Sequence, residues 1–427
     1  LIIDYKIESV GNGWYRCSAA LTAHSSGTTL WFVSATGGSN ANAGNNVYIQ
    51  NVQSESALVA TPYIETGATT AQAGILENTP RFDYSGGASC PSLLLEPSRT
   101  NLTPQSEYFN SGYTFTNVTT AANAAISPEG VSNAYEMTDD ATNGNHRFIR
   151  QITGNTIGQS YTYSIFLKKG TMTNAALNLF SGGTIANVSV DLENGTISAG
   201  SGTSQTIEDY GNDWYRCSIT GIAGDPSVYI YLYMNSLSGY VGAGDNMYIY
   251  GAQLEQGSYA TSYIPTYGVS QTRAQDATTI TDLQGKGVYP SLSEGTFFLD
   301  LKVSGARDSA GSYRHIRLVD NIDSSTNRIR IWENSSGNDS SFRIDFSGGN
   351  VATTFVSDTQ NKIAVTWSSN GIRIIKNGAV VNASASQLVF ASTQKVLTNV
   401  LSNYNFNQIL AFPTALTDSE AIALTTI

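Results

Sequence analysis

Charge is what this sequence has least of. Of its 427 residues only 13% are Asp, Glu, Lys or Arg, about half the quarter usual in soluble domains. The 22 basic residues are outnumbered by 33 acidic ones, for a net charge of −11, and they form no cluster. A surface for a polyanion needs such a cluster, so nucleic acid is excluded as a partner. No apolar run reaches the roughly 18 residues of a membrane-spanning helix, which excludes membrane insertion by that route. The opening Leu1-Ile2-Ile3-Asp4-Tyr5 has neither the basic start nor the long apolar stretch of a signal peptide. Three cysteines, Cys17, Cys90 and Cys217, are too few for a disulfide framework. Three histidines, His24, His146 and His315, have no partner at ligand spacing, which excludes a zinc site.

What fills the space is Gly (40), Tyr (24) and much Ser, Thr and Asn, within a chain 41% apolar and therefore able to bury real cores. An internal repeat organises it. GNGWYRCS at Gly11 recurs as GNDWYRCS at Gly211, and Gly44-Asn45-Asn46-Val47-Tyr48-Ile49 recurs as Gly244-Asp245-Asn246-Met247-Tyr248-Ile249. Gln53, Glu55 and Tyr63-Ile64 return as Gln253, Glu255 and Tyr263-Ile264, always at the same separation. Such agreement marks two copies of one domain. The second copy reads as complete over 101–268, whereas residues 1–67 match only its C-terminal part, so the chain is expected to continue something longer. In alternating strands both Cys17 and Cys217 are expected to be small buried apolar residues.

Nearly every periodic segment reads as strand. Tyr161 to Leu167 is aromatic and β-branched, Asn187 to Leu192 runs into the turn pair Asn194-Gly195, and Gly371 to Lys376 runs into Asn377-Gly378. Val228 to Met234 alternates strictly, with Val228, Ile230, Leu232 and Met234 on one face and Tyr229, Tyr231 and Tyr233 on the other. The one convincing helix follows the capping box Thr417-Asp418-Ser419-Glu420. The expected fold is all-β, a series of tandem β-sandwiches with one short C-terminal helix. Residues 68–100 and 269–290 read as connectors, and 291–427 as a separate hairpin-rich unit.

Three stretches carry a resemblance: PRFDY to LLLEPSRTNL over 80–102, GAQLEQGSYATSYIPT over 251–266, and Thr272-Arg273-Ala274-Gln275-Asp276. Together they resemble bacteriophage tail-fibre and related virion adhesins, in which such signatures frame a jelly roll similar to carbohydrate-binding modules. Residues 291–427 resemble concanavalin A-like or laminin-G-like domains. The resemblance implies a host surface polysaccharide as partner, attachment to other virion proteins through upstream modules, a homotrimer, and a place on the virion surface or otherwise outside the cell. Jelly rolls of this kind often hold a structural calcium. Asp245 and Glu255 are the candidate ligands, with capping of a turn as the stronger reading of each; no other cofactor is implied.

Enzyme chemistry finds no constellation. The acidic pairs Asp139-Asp140 and Asp320 with Asp323 sit in loop-like sequence, and the acidic strand of sandwich-fold glucanases is missing. No Gly-x-Ser-x-Gly elbow stands between a strand and a helix, and Tyr313-Arg314-His315 is a lone triplet. Sugar binding has the better case, because aromatic faces stack on the apolar side of a pyranose while amides and carboxylates bond its hydroxyls. Tyr229, Tyr231 and Tyr233 are the leading candidates, with Trp31 as the first-copy counterpart of Tyr231. Tyr313, Trp332 and Tyr404 are the candidates in the last domain. The competing reading buries the tyrosine face under the second sheet or against a neighbouring subunit. A non-catalytic adhesin leads, with a structural spacer or decoration protein as the alternative and a glycan-cleaving enzyme as a third.

Overall fold

The computed structural model describes residues 2–21, 47–55, 60, 81–83, 92–198, 200–276, 279–280, 282–288, 291–304, 313–320, 328–333, 341–346, 352–356, 359–390, 394–398 and 403–426. Among them every regular element except one terminal helix is a β-strand. Among the described residues the strands form two antiparallel sandwiches, as the periodicity predicts, with three two-stranded sheets beside them.

The central sandwich has two six-stranded sheets. One runs Thr196–Ile197, Thr184–Asp191, Asn174–Phe180, Ser227–Met234, Arg147–Thr153, Thr114–Thr116. The other runs Ser204–Asp209, Trp214–Ile222, Ser160–Lys169, Asn246–Gln256, Ala134–Asp139, Val118–Ala125. Alternation sends one side of each strand inward. Val228, Ile230, Leu232 and Met234 are fully buried and meet Leu177, Leu179 and Phe148 from their own sheet. Tyr163, Ile165, Leu167, Ile219 and Ile249 face them from the other. Burying each such side chain stabilises the fold by roughly 1.5–3 kcal/mol, so the register of every central strand is fixed.

The first copy appears as a hairpin, Ile2–Gly11 with Trp14–Leu21. Its register repeats the second copy pair for pair: Ile7 lies opposite Cys17 as Ile207 lies opposite Cys217, and Glu8 opposite Arg16 as Glu208 opposite Arg216. Asn12 and Asn212 both turn at φ 52°. The burial expected of the two cysteines holds only for Cys217, and Cys17 is exposed. In the second copy the strand Trp214–Ile222 is covered on its far side by Ser160–Lys169, whereas among the described residues Trp14–Leu21 pairs with Ile2–Gly11 alone.

The C-terminal sandwich pairs a six-stranded sheet with a seven-stranded one. Phe297, Leu299, Leu301, Val365, Trp367, Ile372 and Ile374 fill its core. Asn377 (φ 49°) and Gly378 (φ 78°) make the expected two-residue hairpin turn. Asn194-Gly195 instead ends a four-residue loop, because Asp191 pairs with Thr196 and the Asp191 carboxylate accepts the amides of Glu193 and Asn194. The helix Asp418–Thr425 carries both arms of the capping box and packs Ala421 on Phe298, Ala364 and Ile375, on the outer side of the seven-stranded sheet.

The segments read as connectors are partly built into sheets. Arg81–Asp83 and Ser92–Leu95 add two strands to the seven-stranded sheet, where Leu95 lies opposite Tyr404. Thr279–Ile280 pairs with Gln394–Thr398, and Leu283 enters the C-terminal core. The central sandwich is therefore nested within the C-terminal one in chain order. Its two ends meet in a short ladder, Arg99–Asn101 against Gln271–Arg273.

Candidate functional site

The two outer faces of the central sandwich are treated differently. Over the sheet containing Asn246–Gln256, the face is closed by the very segments that carry the sequence signatures. Gly251 (φ 61°) shifts that strand's register, so that Ala252 and Leu254 stay in the core while Gln253 and Glu255 join the outer, covered side. Asn101, wholly buried, donates to the carbonyls of Ile264 (2.8 Å) and Ala252 (3.3 Å), and accepts from the amides of Thr103 (3.0 Å) and Leu254 (3.2 Å). Glu96 accepts the Ser262 amide at 2.7 Å and pairs with Arg273 at 3.2 Å, while its own amide donates to Asp276 at 2.6 Å. Backbone groups of a loop crossing a sheet must find partners when buried, and these side chains supply them. The signatures are thus a polar clasp, with its acids and bases spent on structure.

Both calcium candidates belong to such networks. The Glu255 carboxylate accepts from the Thr261 amide and hydroxyl, both at 2.7 Å, and from Gln253 at 3.1 Å, with Arg99 at 3.9 Å. Burial raises its pKa against those hydrogen bonds and the nearby Arg216 and Arg99. Asp245 gives its amide to Asp139 at 2.8 Å, in a turn where the Asp139 carboxylate also accepts the amides of Ala243 and Gly244. Amide donors converging on one oxygen suit an anion, and Asp139 is already that anion. Among the described residues no group of three or more His, Cys, Asp or Glu is placed to hold a metal ion.

The other outer face is partly accessible: Tyr229, Tyr231, Asn178 and Phe180 are half-buried there, whereas Ala176 is buried. Strand Ser227–Met234 lies at its centre, with Tyr229, Tyr231 and Tyr233 pointing away from the core that Val228, Ile230, Leu232 and Met234 enter. The competing expectation of a tyrosine face beneath the second sheet does not hold, because the aliphatic side fills that space. The rings form a ladder: Tyr229 and Tyr231 have centroids 6.5 Å apart, and Tyr231 and Tyr233 stack at 5.9 Å with planes 12° apart. Tyr229 and Tyr231 are half-buried, while Tyr233 is only 6% exposed.

Pairing brings distant residues to the ladder. On one side Arg147, Ile149 and Gln151 stand opposite Tyr233, Tyr231 and Tyr229; on the other stand Ala176, Asn178 and Phe180. Phe180 meets the rings of Tyr229 and Tyr231 edge-on at 6.0 and 6.5 Å. The Arg147 guanidinium lies over Tyr231 and Tyr233 at 5.4 and 5.3 Å and donates from Nη1 to the Tyr233 hydroxyl at 2.7 Å. Buried Tyr233 is therefore the anchor of the row, and Tyr231 and Tyr229 are its accessible part. Two enclosed polar atoms here have no hydrogen-bond partner, Asn178 Oδ1 and Arg147 Nε. No local pattern marks Arg147, Asn178 or Phe180, because only strand pairing unites them with residues 229–233.

A second cluster, also unmarked in the sequence, lies under the clasp. Glu107, 1% exposed, accepts from the hydroxyls of Tyr250, Tyr263 and Tyr267 at 3.2, 3.2 and 3.1 Å, and from Asn133 at 3.4 Å. Burial pushes its pKa from 4.5 up to about 7, helped by the charge of Glu129 and opposed by the three phenols. The other expected ligands are not gathered. Tyr313 and Trp332 lie on neighbouring strands of the six-stranded C-terminal sheet, one register step apart, and Tyr404 lies on a strand of the opposite sheet. Trp31 is outside the described residues.

No family model and no curated protein matches the chain. Among solved structures it is similar to the Ruminococcus gnavus IT-sialidase CBM40 bound to α2,3-sialyllactose, at 12% identity over 36% of this chain and 97% of the other, with a TM-score of 0.26. It is also similar to Trypanosoma rangeli sialidase, at 7% identity over 68% of this chain and 60% of that one (TM-score 0.27). The mouse laminin α1 chain, domains LG4-5, matches at 8% identity over 65% of this chain and 90% of that one, with a TM-score of 0.20.

Proposed function

We propose that this chain is a non-catalytic glycan-binding protein, a virion-surface adhesin of the tail-fibre kind, whose central sandwich holds a host surface polysaccharide on its tyrosine ladder. One observation carries the reading: one outer face of the sandwich is sealed by the clasp, while the other presents Tyr229, Tyr231 and Phe180 beside Asn178, Gln151 and Arg147. Rings of this kind offer an apolar face to the C–H side of a pyranose, and the flanking amides reach its hydroxyls. A flat, half-buried row binds each sugar weakly. Display of several copies, as in a trimer, raises the overall affinity without new contacts.

Glycan-array binding tests the proposal. Wild-type protein is expected to retain a subset of surface polysaccharides, and Tyr231→Ala to lose about tenfold or more in affinity, the loss of roughly one stacking contact and its buried area. Wild-type binding that survives Tyr231→Ala and Tyr229→Ala undiminished would move the site elsewhere. Absence of any glycan binding would favour the spacer, and shortened polysaccharide after incubation would favour the enzyme.

A further inference from the structure

We infer that the ladder takes a carboxylated sugar, a uronic or sialic acid, with its carboxylate at the Arg147 end of the row; this rests on the glycan-binding reading above. The first ground is the state of the guanidinium. Arg99, Arg273 and Arg373 each have a carboxylate within ion-pair distance, while Arg150 and Arg216 have none among the described residues but donate to the Ser111 carbonyl and the Ser164 hydroxyl. Arg147 has none among the described residues; its interactions are the Tyr233 hydroxyl and two ring faces. An always-charged, half-buried guanidinium lying on aromatic rings is weakly hydrated and keeps its remaining N–H groups for a planar anion. Nη1 serves Tyr233, Nη2 has no partner among the described residues, and Nε is enclosed and unpartnered.

The second ground is the neighbourhood. Along this face the residues in register with the ladder are Thr114, Thr116, Ile149, Gln151, Ala176, Asn178 and Phe180, none of them acidic. The nearest acid in register is Asp191, opposite Asn174. It stands three strands from Arg147, about 14 Å at the spacing of strands in a sheet, and is held by the amides of Glu193 and Asn194 and the side chain of Asn194. That separation exceeds the screening length of roughly 8–10 Å in physiological salt. No acidic residue thus stands in strand register beside Arg147, although the whole chain carries −11. The third ground is Asn178 Oδ1, an unpartnered acceptor opposite Tyr231. A ring stacked on Tyr231 lies beside the Asn178 amide and brings its carboxylate to the Nη2 edge of Arg147, so amide, guanidinium and aromatic row describe one ligand.

The experiment measures binding of the full chain to two matched pairs, oligogalacturonate against its carboxyl-reduced form and sialyllactose against lactose. At least one acidic member is expected to bind about tenfold more tightly than its neutral partner, the difference of one charge-assisted hydrogen bond, and to weaken as salt rises. Arg147→Gln is expected to remove that preference, and Arg147→Lys to restore part of it. Which pair responds separates uronic from sialic acid. Because Arg147 also steadies Tyr233, the salt dependence of the wild-type protein serves as a readout that needs no variant. Equal affinity for acidic and neutral members, with both lost in Tyr231→Ala, would overturn the carboxylate assignment and leave glycan binding standing. Absence of binding to any of the four and to wider glycan panels would overturn both.

Discussion

Glu107 offers the sharpest physical test of the central sandwich. Its carboxyl is 1% exposed and titrates near 7 in the fold, against 4.5 in an open chain. A tenfold change in proton affinity is about 1.4 kcal/mol, so ionising this group inside the fold costs roughly 3 kcal/mol more than in the unfolded chain. The folded state binds the extra proton between those two values. Its contribution to stability is therefore complete below about pH 4.5, declines as pH rises, and is gone above pH 7. Glu107→Gln keeps the shape and the acceptor oxygen for the three tyrosines but cannot ionise. Urea unfolding of wild type and variant at intervals from pH 4 to 8.5, followed by fluorescence, gives the difference in stability at each pH. Terms from groups that do not interact with Glu107 cancel in that difference, which should shift by roughly 3 kcal/mol in favour of the variant as pH rises. Titration of the wild-type carboxyls by 13C NMR should show one midpoint near 7 that is missing in the variant. Parallel stability curves, or a Glu107 midpoint below 5, would show that burial does not govern the proton affinity of this carboxyl.

Three further outcomes follow from the same structure. Asn101→Ala strips four buried backbone groups of their partner, and should lower the stability of the central sandwich by roughly 3 kcal/mol or more in chemical denaturation. Iodoacetamide applied to native protein should label Cys17, which is exposed, and spare Cys217, which is buried with its thiol pKa pushed far up; peptide mass spectrometry reads both sites. Calcium at millimolar concentration should leave the melting temperature unchanged, because the Glu255 oxygens already serve protein donors and the turn holding Asp245 is closed on the Asp139 carboxylate; a rise that depends on Glu255 or Asp245 would contradict this.

Much of this architecture is legible in the residues, for reasons that are local. Strict alternation from Val228 to Met234 is enough to separate a core face from an outer face, and the capping box at Thr417 and Glu420 writes its own hydrogen bonds. Asn377-Gly378 specifies its turn because both positions need positive φ. What stays hidden is non-local. Nothing near Glu107 in sequence announces Tyr250, Tyr263 and Tyr267, and nothing near Tyr231 announces Asn178 or Phe180, since each set is gathered by strand order alone. Cys17 departs from expectation for a related reason: its strand is the image of another, but burial depends on the neighbour across the sheet. Glu255 shows the converse, a residue whose type and place suggest a ligand but whose oxygens hold a loop.

The nesting of the two sandwiches has a consequence for change over time. The central one leaves and re-enters through a single doorway, where Arg99–Asn101 runs beside Gln271–Arg273 and the Glu96 amide meets Asp276. Its host already owns the strands on either side, Ser92–Leu95 before and Thr279–Ile280 after. A module hung in this way behaves as a cassette. Its tyrosine ladder can be redrawn, or the whole unit exchanged for another specificity, while the platform that carries it keeps every strand.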